Sequence, residues 1–276
     1  MGDSMNIITL THPDIHRPGM LEICGRSLMQ NAELPKGIPW FIVCNGTSPE
    51  LKDAVHKLES DYRGVLEIIP VFKAENEGHG IGVNLCNEIS EDFEYTLFLE
   101  GDWMTLSSED SGQPRNWLPL SIQLLDEQRD VDAVYLRRFI CDIDSRQTGI
   151  QTHYLGAFRF GCVDQPGPGV PMNYFVADIP AYTNNPLLRR NSAFYKKGVF
   201  PLCELHDAEG NPTEFKGNLD WGRAENNASD ALRDNHDSLR MAILSWGVLS
   251  HIETTPIQGS YRIKPVKDSG CGKFYF

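Results

Sequence analysis

Short runs of apolar, β-prone residues alternate with longer segments whose apolar positions recur at helical spacing through the first half of the chain. Strand, helix, strand, helix in this order predicts an α/β fold. Its sheet is expected to be mostly parallel, with helices on both faces. The predicted strands are Asn6 to Leu10, Trp40 to Cys44, Val65 to Phe72, Tyr95 to Leu99 and Val131 to Leu136.

The segments between these strands carry helix signals. Arg17 to Ala32 has an apolar stripe, with Pro18 near its start. Ser48 is a predicted N-cap, and Pro49 suits the first position of the helix that follows. Further helices are expected over Val83 to Ile89 and over Trp117 to Gln128.

The second half of the chain is less regular. Residues 142–178 are rich in glycine and proline, which predicts long loops and a hairpin. Arg223 to Trp246 reads as a helix with a break near Asn235. We therefore expect one domain made of two halves, residues 5–140 and a smaller irregular part, 141–276, which ends in a basic tail.

Composition narrows the classes of function. The 276 residues include 25 basic and 38 acidic ones, for a net charge of -13. Such a surface disfavours general capture of nucleic acid or anionic membrane. The longest apolar runs are far shorter than the ~20 residues of a membrane helix, so no membrane span is expected. The polar N-terminus and seven widely spaced cysteines indicate a cytoplasmic protein with reduced thiols.

A pair of acidic residues follows the fourth predicted strand, in Glu100-Gly101-Asp102. Residues i and i+2 of an extended segment point the same way, so the two carboxylates are expected to converge. Carboxylate oxygens suit Mg²⁺ or Mn²⁺, which takes its remaining ligands from waters and phosphates.

Three other strand ends carry polar or glycine-rich residues. Asn76-Glu77-Gly78-His79-Gly80 precedes a helix that contains Asn84, Thr9 to His12 leaves the first strand, and Asn45-Gly46-Thr47 leaves the second. Glycines let a backbone approach a ligand closely. Ligands of open parallel sheets bind at the carboxyl ends of the strands. These segments therefore predict a nucleotide site at that edge.

In order and spacing, these pieces resemble the nucleotide-sugar half of a GT-A glycosyltransferase of the family 2-like group. The resemblance covers about Asn6 to Phe139, with Glu100 in place of the first Asp of that group's Asp-x-Asp motif. It implies a GT-A-like fold and a metal-dependent, inverting transfer of a sugar from a nucleoside diphosphate, UDP above all, to a hydroxyl. The second half would then carry the acceptor side.

The resemblance also implies roles for individual residues. Glu100 and Asp102 would hold Mn²⁺ or Mg²⁺, with His251 as a third ligand. An inverting transfer needs a carboxylate base, and Asp237 or Glu225 would supply it. The residues implied for donor binding are Thr9, Thr11, Asn45, Asn76, Gly78, Gly80, Asn84, Trp103, Arg189, Arg190, Arg262 and Lys264.

Two other functions stay open from the sequence. A nucleotidyltransferase can share this sheet and its paired acids, but it usually shows a glycine-rich basic loop after the first strand, which residues 11–16 lack. The second open function is that of a non-catalytic domain of the same fold that binds a nucleotide or a glycan. The acceptor is also open among a glycan, a lipid-linked sugar, a protein, a small molecule and a modified nucleic-acid base.

Overall fold

A computed structural model describes residues 5–136, 159–163, 172–179, 182, 186–200, 228–229, 232–244, 247–254 and 261–263. The strands in these residues are β1 Met5–Thr11, β2 Pro39–Cys44, β3 Glu67–Phe72, β4 Tyr95–Glu100, β5 Trp103–Thr105, β6 Ala133–Tyr135, β7 Arg159–Val163, β8 Met172–Ile179, β9 Leu187–Arg190, β10 Leu239–Leu244, β11 Leu249–Thr254 and β12 Tyr261–Ile263. Within the described residues, one sheet has nine strands in the order β3-β2-β1-β4-β9-β6-β10-β8-β7, and a small sheet has the order β12-β11-β5. The helices are α1 Arg17–Asn31, α2 Pro49–Asp61, α3 His79–Ser90, α4 Ser108–Ser111, α5 Trp117–Glu127 and α6 Asn191–Lys196.

The strands β3, β2, β1 and β4 pair in parallel, as the alternating pattern predicts. Their side chains alternate between two cores. Ile7 and Leu97 belong to the core that contains residues of α1, α2 and α5. Ile8 and Phe98 belong to the core on the other face, which contains residues of α3 and α6. The sheet is therefore buried on both faces, which explains its nearly continuous apolar strands.

Local signals at the helix starts are confirmed. The Ser48 side chain accepts a hydrogen bond from the Leu51 N–H at 3.2 Å, so it caps α2 as expected. The third helix begins at His79 rather than Val83, one turn earlier than the apolar stripe indicates. None of the helices in the described part of the chain has the length and apolar character that a membrane crossing requires.

The second half of the chain adds strands to the same sheet. β9 lies antiparallel between β4 and β6, and β10 lies parallel to β6. Asn191, directly after β9, fastens this addition to the first half. Its Nδ2 donates to the backbone oxygens of Ser90 and Phe93 and to Thr96 Oγ1, at 2.8 to 2.9 Å.

One element differs from the sequence-based expectation. Residues 239–244 fall inside the helix predicted over Arg223 to Trp246, but they form strand β10. The run Leu-Arg-Met-Ala-Ile-Leu favours a helix by intrinsic propensity, and burial between β6 and β8 overrides that preference. The expected hairpin is present as β7 and β8, and part of the basic tail forms β12.

The sheet has two edges that matter for function. The carboxyl edge is where β1, β2 and β4 end. The amino edge, where β4 and β6 begin, also holds the last residue of the antiparallel strand β9, because Arg190 pairs with Tyr95. Five residue steps of β4 separate Tyr95 from Glu100, or about 16 Å along the strand.

Replacing Asn191 by alanine is expected to lower the free energy of unfolding by about 2–5 kcal/mol, because it leaves buried backbone oxygens without donors. Urea unfolding followed by circular dichroism measures the change. Asn116→Ala is the matched control, since Asn116 precedes α5 without a side-chain capping bond. Equal losses in the two variants would show that Asn191 does not fasten the two halves.

Candidate active site at the carboxyl edge

Backbone hydrogen bonds bring the ends of β1, β2 and β4 together. The Asn45 N–H donates to the Thr11 oxygen at 2.8 Å, and the Gly101 N–H donates to the Leu10 oxygen at 3.0 Å. The residues that follow these strands therefore lie side by side, as the sequence predicts for a parallel sheet.

Asn45 organises the loop that precedes α3. Its Nδ2 donates to Asn76 Oδ1 at 3.0 Å and to the Gly78 oxygen at 2.7 Å, and its Oδ1 accepts from the Glu77 N–H at 3.2 Å. Asn45 is 3% exposed, so it shapes this loop from beneath. Gly80 and Asn84 follow in the first two turns of α3. The predicted members of this segment are thus adjacent to one another.

Close approach of the backbone explains two glycines at this edge. Gly46 has φ +86°, and a Cβ there would lie 2.8 Å from the Asn76 nitrogen. A Cβ at Gly101 would lie 3.1 Å from Thr11 Oγ1. Thr11 is 2% exposed, and its hydroxyl has no hydrogen-bond partner among the described residues.

The two acidic residues of the predicted metal motif do not point the same way. Glu100 Oε1 lies 3.7 Å from Nε2 of His79, the first residue of α3. Asp102 instead contacts Arg17, the first residue of α1, on the other face of the sheet. The expected convergence assumed an extended segment, whereas the chain turns at Gly101 between β4 and β5.

Asp102 is buried among basic side chains. Its Oδ2 lies 2.7 Å from Arg17 Nη1 and 3.1 Å from His251 Nε2, while its Oδ1 has no hydrogen-bond partner among the described residues. Burial opposes ionisation, but the hydrogen bond with His251 and the charge of Arg17 outweigh it, so the pKa of Asp102 lies below its ordinary value. Asp102 is therefore a buried carboxylate with one oxygen still available.

Two further histidines lie in this region and are held neutral. Burial, aided by the charges of His12 and Arg17, lowers the pKa of His79 to about 4. Burial and the nearby Arg17 also lower the pKa of His12. Both imidazoles are consequently uncharged at neutral pH.

Two of the residues expected at the donor are in the core. Thr9 is fully buried, and its hydroxyl accepts a hydrogen bond from Trp40 Nε1 at 2.9 Å. Trp103 is 3% exposed and meets the His251 ring edge to face, with centroids 5.2 Å apart. Trp103 therefore supports His251 from within and has no open face for a base or sugar.

The structure places Arg189 and Arg190 at the amino end of β4, beside Thr96 and Tyr95. Arg189 is 1% exposed and lies 4.5 Å from the centroid of the Phe200 ring. The expectation that these arginines line the donor site does not fit this position, because β9 runs antiparallel to β4 and carries them away from the carboxyl edge.

Asp237 also lies at the amino edge. Its Oδ1 is 3.5 Å from Lys197 Nζ, which also pairs with Asp132 at the start of β6. It precedes β10, which runs parallel to β6, so Asp237 lies at the end of the sheet opposite Asp102. This position does not fit the expectation that Asp237 is the base. The sequence pattern misplaces Asp237 because it predicts a helix through residues 239–244, which form strand β10.

The remaining predicted residues are only partly described. Arg262 lies in β12, opposite Glu253 of β11, which places it in the small sheet that also contains His251. Lys264 and Glu225 lie outside the described residues.

The donor atoms at Asp102 fit a divalent cation in part. No group of three or more His, Cys, Asp and Glu side chains in the described residues is arranged to hold a metal ion. Yet Asp102 Oδ1 is a buried oxygen with no hydrogen-bond partner among the described residues, and the other carboxylate oxygen, Oδ2, lies 3.1 Å from His251 Nε2. Two ligands 2.1 Å from one octahedral ion stand about 3 Å apart. The pair therefore fits an ion that takes its other ligands from phosphates and water.

Arg17 is the member of this site that sequence reasoning missed. The apolar pattern places Arg17 only at the start of a predicted helix. The available signal is its position, a cation six residues after the end of β1 at the edge where ligands bind.

No known family profile and no curated protein sequence matches the chain. Solved structures do match. S. aureus TarS 1-349 in complex with UDP is 15% identical, with a TM-score of 0.51 over 89% of this chain and 59% of that one. GalNAc-T7 with UDP, GalNAc and Mn²⁺ is 12% identical, with a TM-score of 0.51 over 92% of this chain and 44% of that one.

The chain thus spans about three fifths of the TarS fragment and less than half of GalNAc-T7. At these identities the likeness shows the fold alone. The mostly parallel sheet, covered by helices on both faces, is the GT-A-like fold of glycosyltransferases, as the sequence resemblance implied.

Gly46→Ala is expected to lower the free energy of unfolding by at least about 1 kcal/mol more than Gly37→Ala. Both positions have positive φ, and each alanine bears the left-handed strain of about 1–2 kcal/mol. A Cβ at Gly37 has nothing within 4 Å, whereas one at Gly46 collides with Asn76. Urea unfolding of both variants measures the difference, and equal losses would contradict the close packing of the two loops.

Proposed function

We propose that this chain is a glycosyltransferase that binds a nucleoside-diphosphate sugar and a divalent cation at the carboxyl edge of its sheet. One observation carries the proposal: the buried carboxylate of Asp102 has one oxygen without a hydrogen-bond partner among the described residues and lies beside basic side chains, in a protein whose net charge is -13. Local positive charge in an acidic protein favours an anionic ligand such as a diphosphate.

The donor proposed is UDP-linked. Support comes from the fold and from the similar structures of TarS and GalNAc-T7, which were solved with UDP. The loop of Asn76 and Gly78, held by Asn45, offers backbone groups to the nucleotide, and Thr11 offers a buried hydroxyl.

Asp102 and His251 would hold Mn²⁺ or Mg²⁺, whereas Glu100 faces His79 and is not assigned to the ion. When bound, such an ion stabilises the negative charge that grows on the departing diphosphate. Arg17 adds a guanidinium, which can pair with phosphate oxygens in two parallel hydrogen bonds. The described residues thus supply anion binding and leaving-group stabilisation.

For the base of an inverting transfer, Glu225 becomes the candidate, since Asp237 lies at the opposite edge. We keep the acceptor as a hydroxyl of unassigned class.

The cytoplasmic location expected from the sequence is supported by Cys24, Cys44 and Cys86, which are buried free thiols.

The test is calorimetric binding of UDP, GDP, CDP and ADP, each with and without Mn²⁺, to the wild type and to Asp102→Asn. We expect one diphosphate to bind in a metal-dependent manner. The variant should bind it at least about tenfold more weakly, which corresponds to ~1.4 kcal/mol. Asp92→Asn is the control, because Asp92 is exposed and precedes β4 at the amino edge.

Metal-independent binding, or equal affinity in the wild type and Asp102→Asn, would contradict this assignment. A second readout separates enzyme from binding domain. An enzyme should slowly release UDP from the matching UDP-sugar with water as acceptor, whereas a binding domain releases none.

A further inference from the structure

Arg17 and the expected cation compete for the same carboxylate. Arg17 Nη1 is 2.7 Å from Asp102 Oδ2, and the two side chains are 22% and 8% exposed. His251 Nε2 contacts the same oxygen at 3.1 Å. One carboxylate oxygen therefore has two basic neighbours, and the other has no partner among the described residues.

A divalent ion bound to Asp102 would stand within a few ångströms of the Arg17 guanidinium. Like charges at that distance repel strongly when both are partly shielded from water. The ion alone must therefore bind against Arg17. A diphosphate removes this conflict, because its oxygens can ligate the ion and pair with the guanidinium at once.

The surrounding residues allow Arg17 to make that exchange. Arg17 begins α1, no acidic residue lies in the first turn of that helix, and its side chain is partly exposed. Within the described residues, Asp102 is the carboxylate with which Arg17 forms a salt bridge.

We propose that Arg17 couples the binding of metal to the binding of the nucleoside diphosphate. Paired with Asp102, it keeps the affinity for the metal alone low. When the diphosphate enters with the ion, Arg17 moves from Asp102 to the phosphate oxygens and strengthens the joint complex. This inference rests on the proposed function and adds a specific role, since a purely structural salt bridge would not produce such coupling.

The test measures Mn²⁺ affinity by the paramagnetic resonance of the free ion, with and without saturating UDP, in the full chain. In Arg17→Met, Mn²⁺ alone should bind at least about threefold more tightly. With UDP present, Mn²⁺ should bind at least about tenfold more weakly than to the wild type. Tighter binding of Mn²⁺ alone together with weaker binding of Mn²⁺ in the presence of UDP indicates a loss of coupling. The effect of UDP on the affinity for Mn²⁺ equals the effect of Mn²⁺ on the affinity for UDP.

Two further variants complete the design. Arg26→Met removes an exposed arginine from the same helix and should change neither affinity. Arg17→Lys keeps the positive charge and should restore part of the coupling. This variant also tests the coupling if Arg17→Met folds poorly.

The coupling role is overturned if Arg17→Met weakens the binding of Mn²⁺ alone, or if the ratio of the two affinities is the same in the wild type and the variant. Failure of the proposed function has a different appearance. In that case the wild type itself binds no diphosphate with Mn²⁺, whatever stands at position 17.

Discussion

The site depends on one constraint, a carboxylate buried where two sheets meet. Asp102 lies between the end of β4 and the start of β5, and it is 6% exposed. A buried ionised carboxylate is costly unless opposite charge and hydrogen bonds surround it. The fold meets this requirement by packing α1, which carries Arg17, and β11, which carries His251, against the same residue.

The same arrangement also places groups that can bind a ligand around Asp102. The partners of Asp102 use one of its oxygens and leave the other buried, without a hydrogen-bond partner among the described residues. Around it lie the Arg17 guanidinium and the imidazoles of His12 and His79, whose pKa values burial lowers. A protein with a net charge of -13 thus concentrates basic groups where the GT-A-like fold presents its ligand edge. The amino edge has paired charges, as at Lys197 and Asp132.

The alternation of strands and helices in the first half was predictable because its signals are local. Ser48 caps α2 through a neighbour three residues away, and the adjacency of the strand ends follows from parallel pairing. Strand β10 was not predictable, since an apolar run such as Leu239–Leu244 suits a buried strand or a helix until its neighbours are known. Its misreading also misplaced Asp237. The direction of Asp102 depends on the turn at Gly101, and its pairing with Arg17 depends on how α1 packs.

The most direct measurement is an anomalous difference map from crystals of the chain grown with UDP and Mn²⁺. The account predicts a manganese peak about 2.2 Å from a carboxylate oxygen of Asp102. It also predicts the diphosphate on that ion, with the Arg17 guanidinium turned toward the phosphate oxygens. UDP bound away from Asp102, or a manganese peak elsewhere with Arg17 still on Asp102, would contradict it.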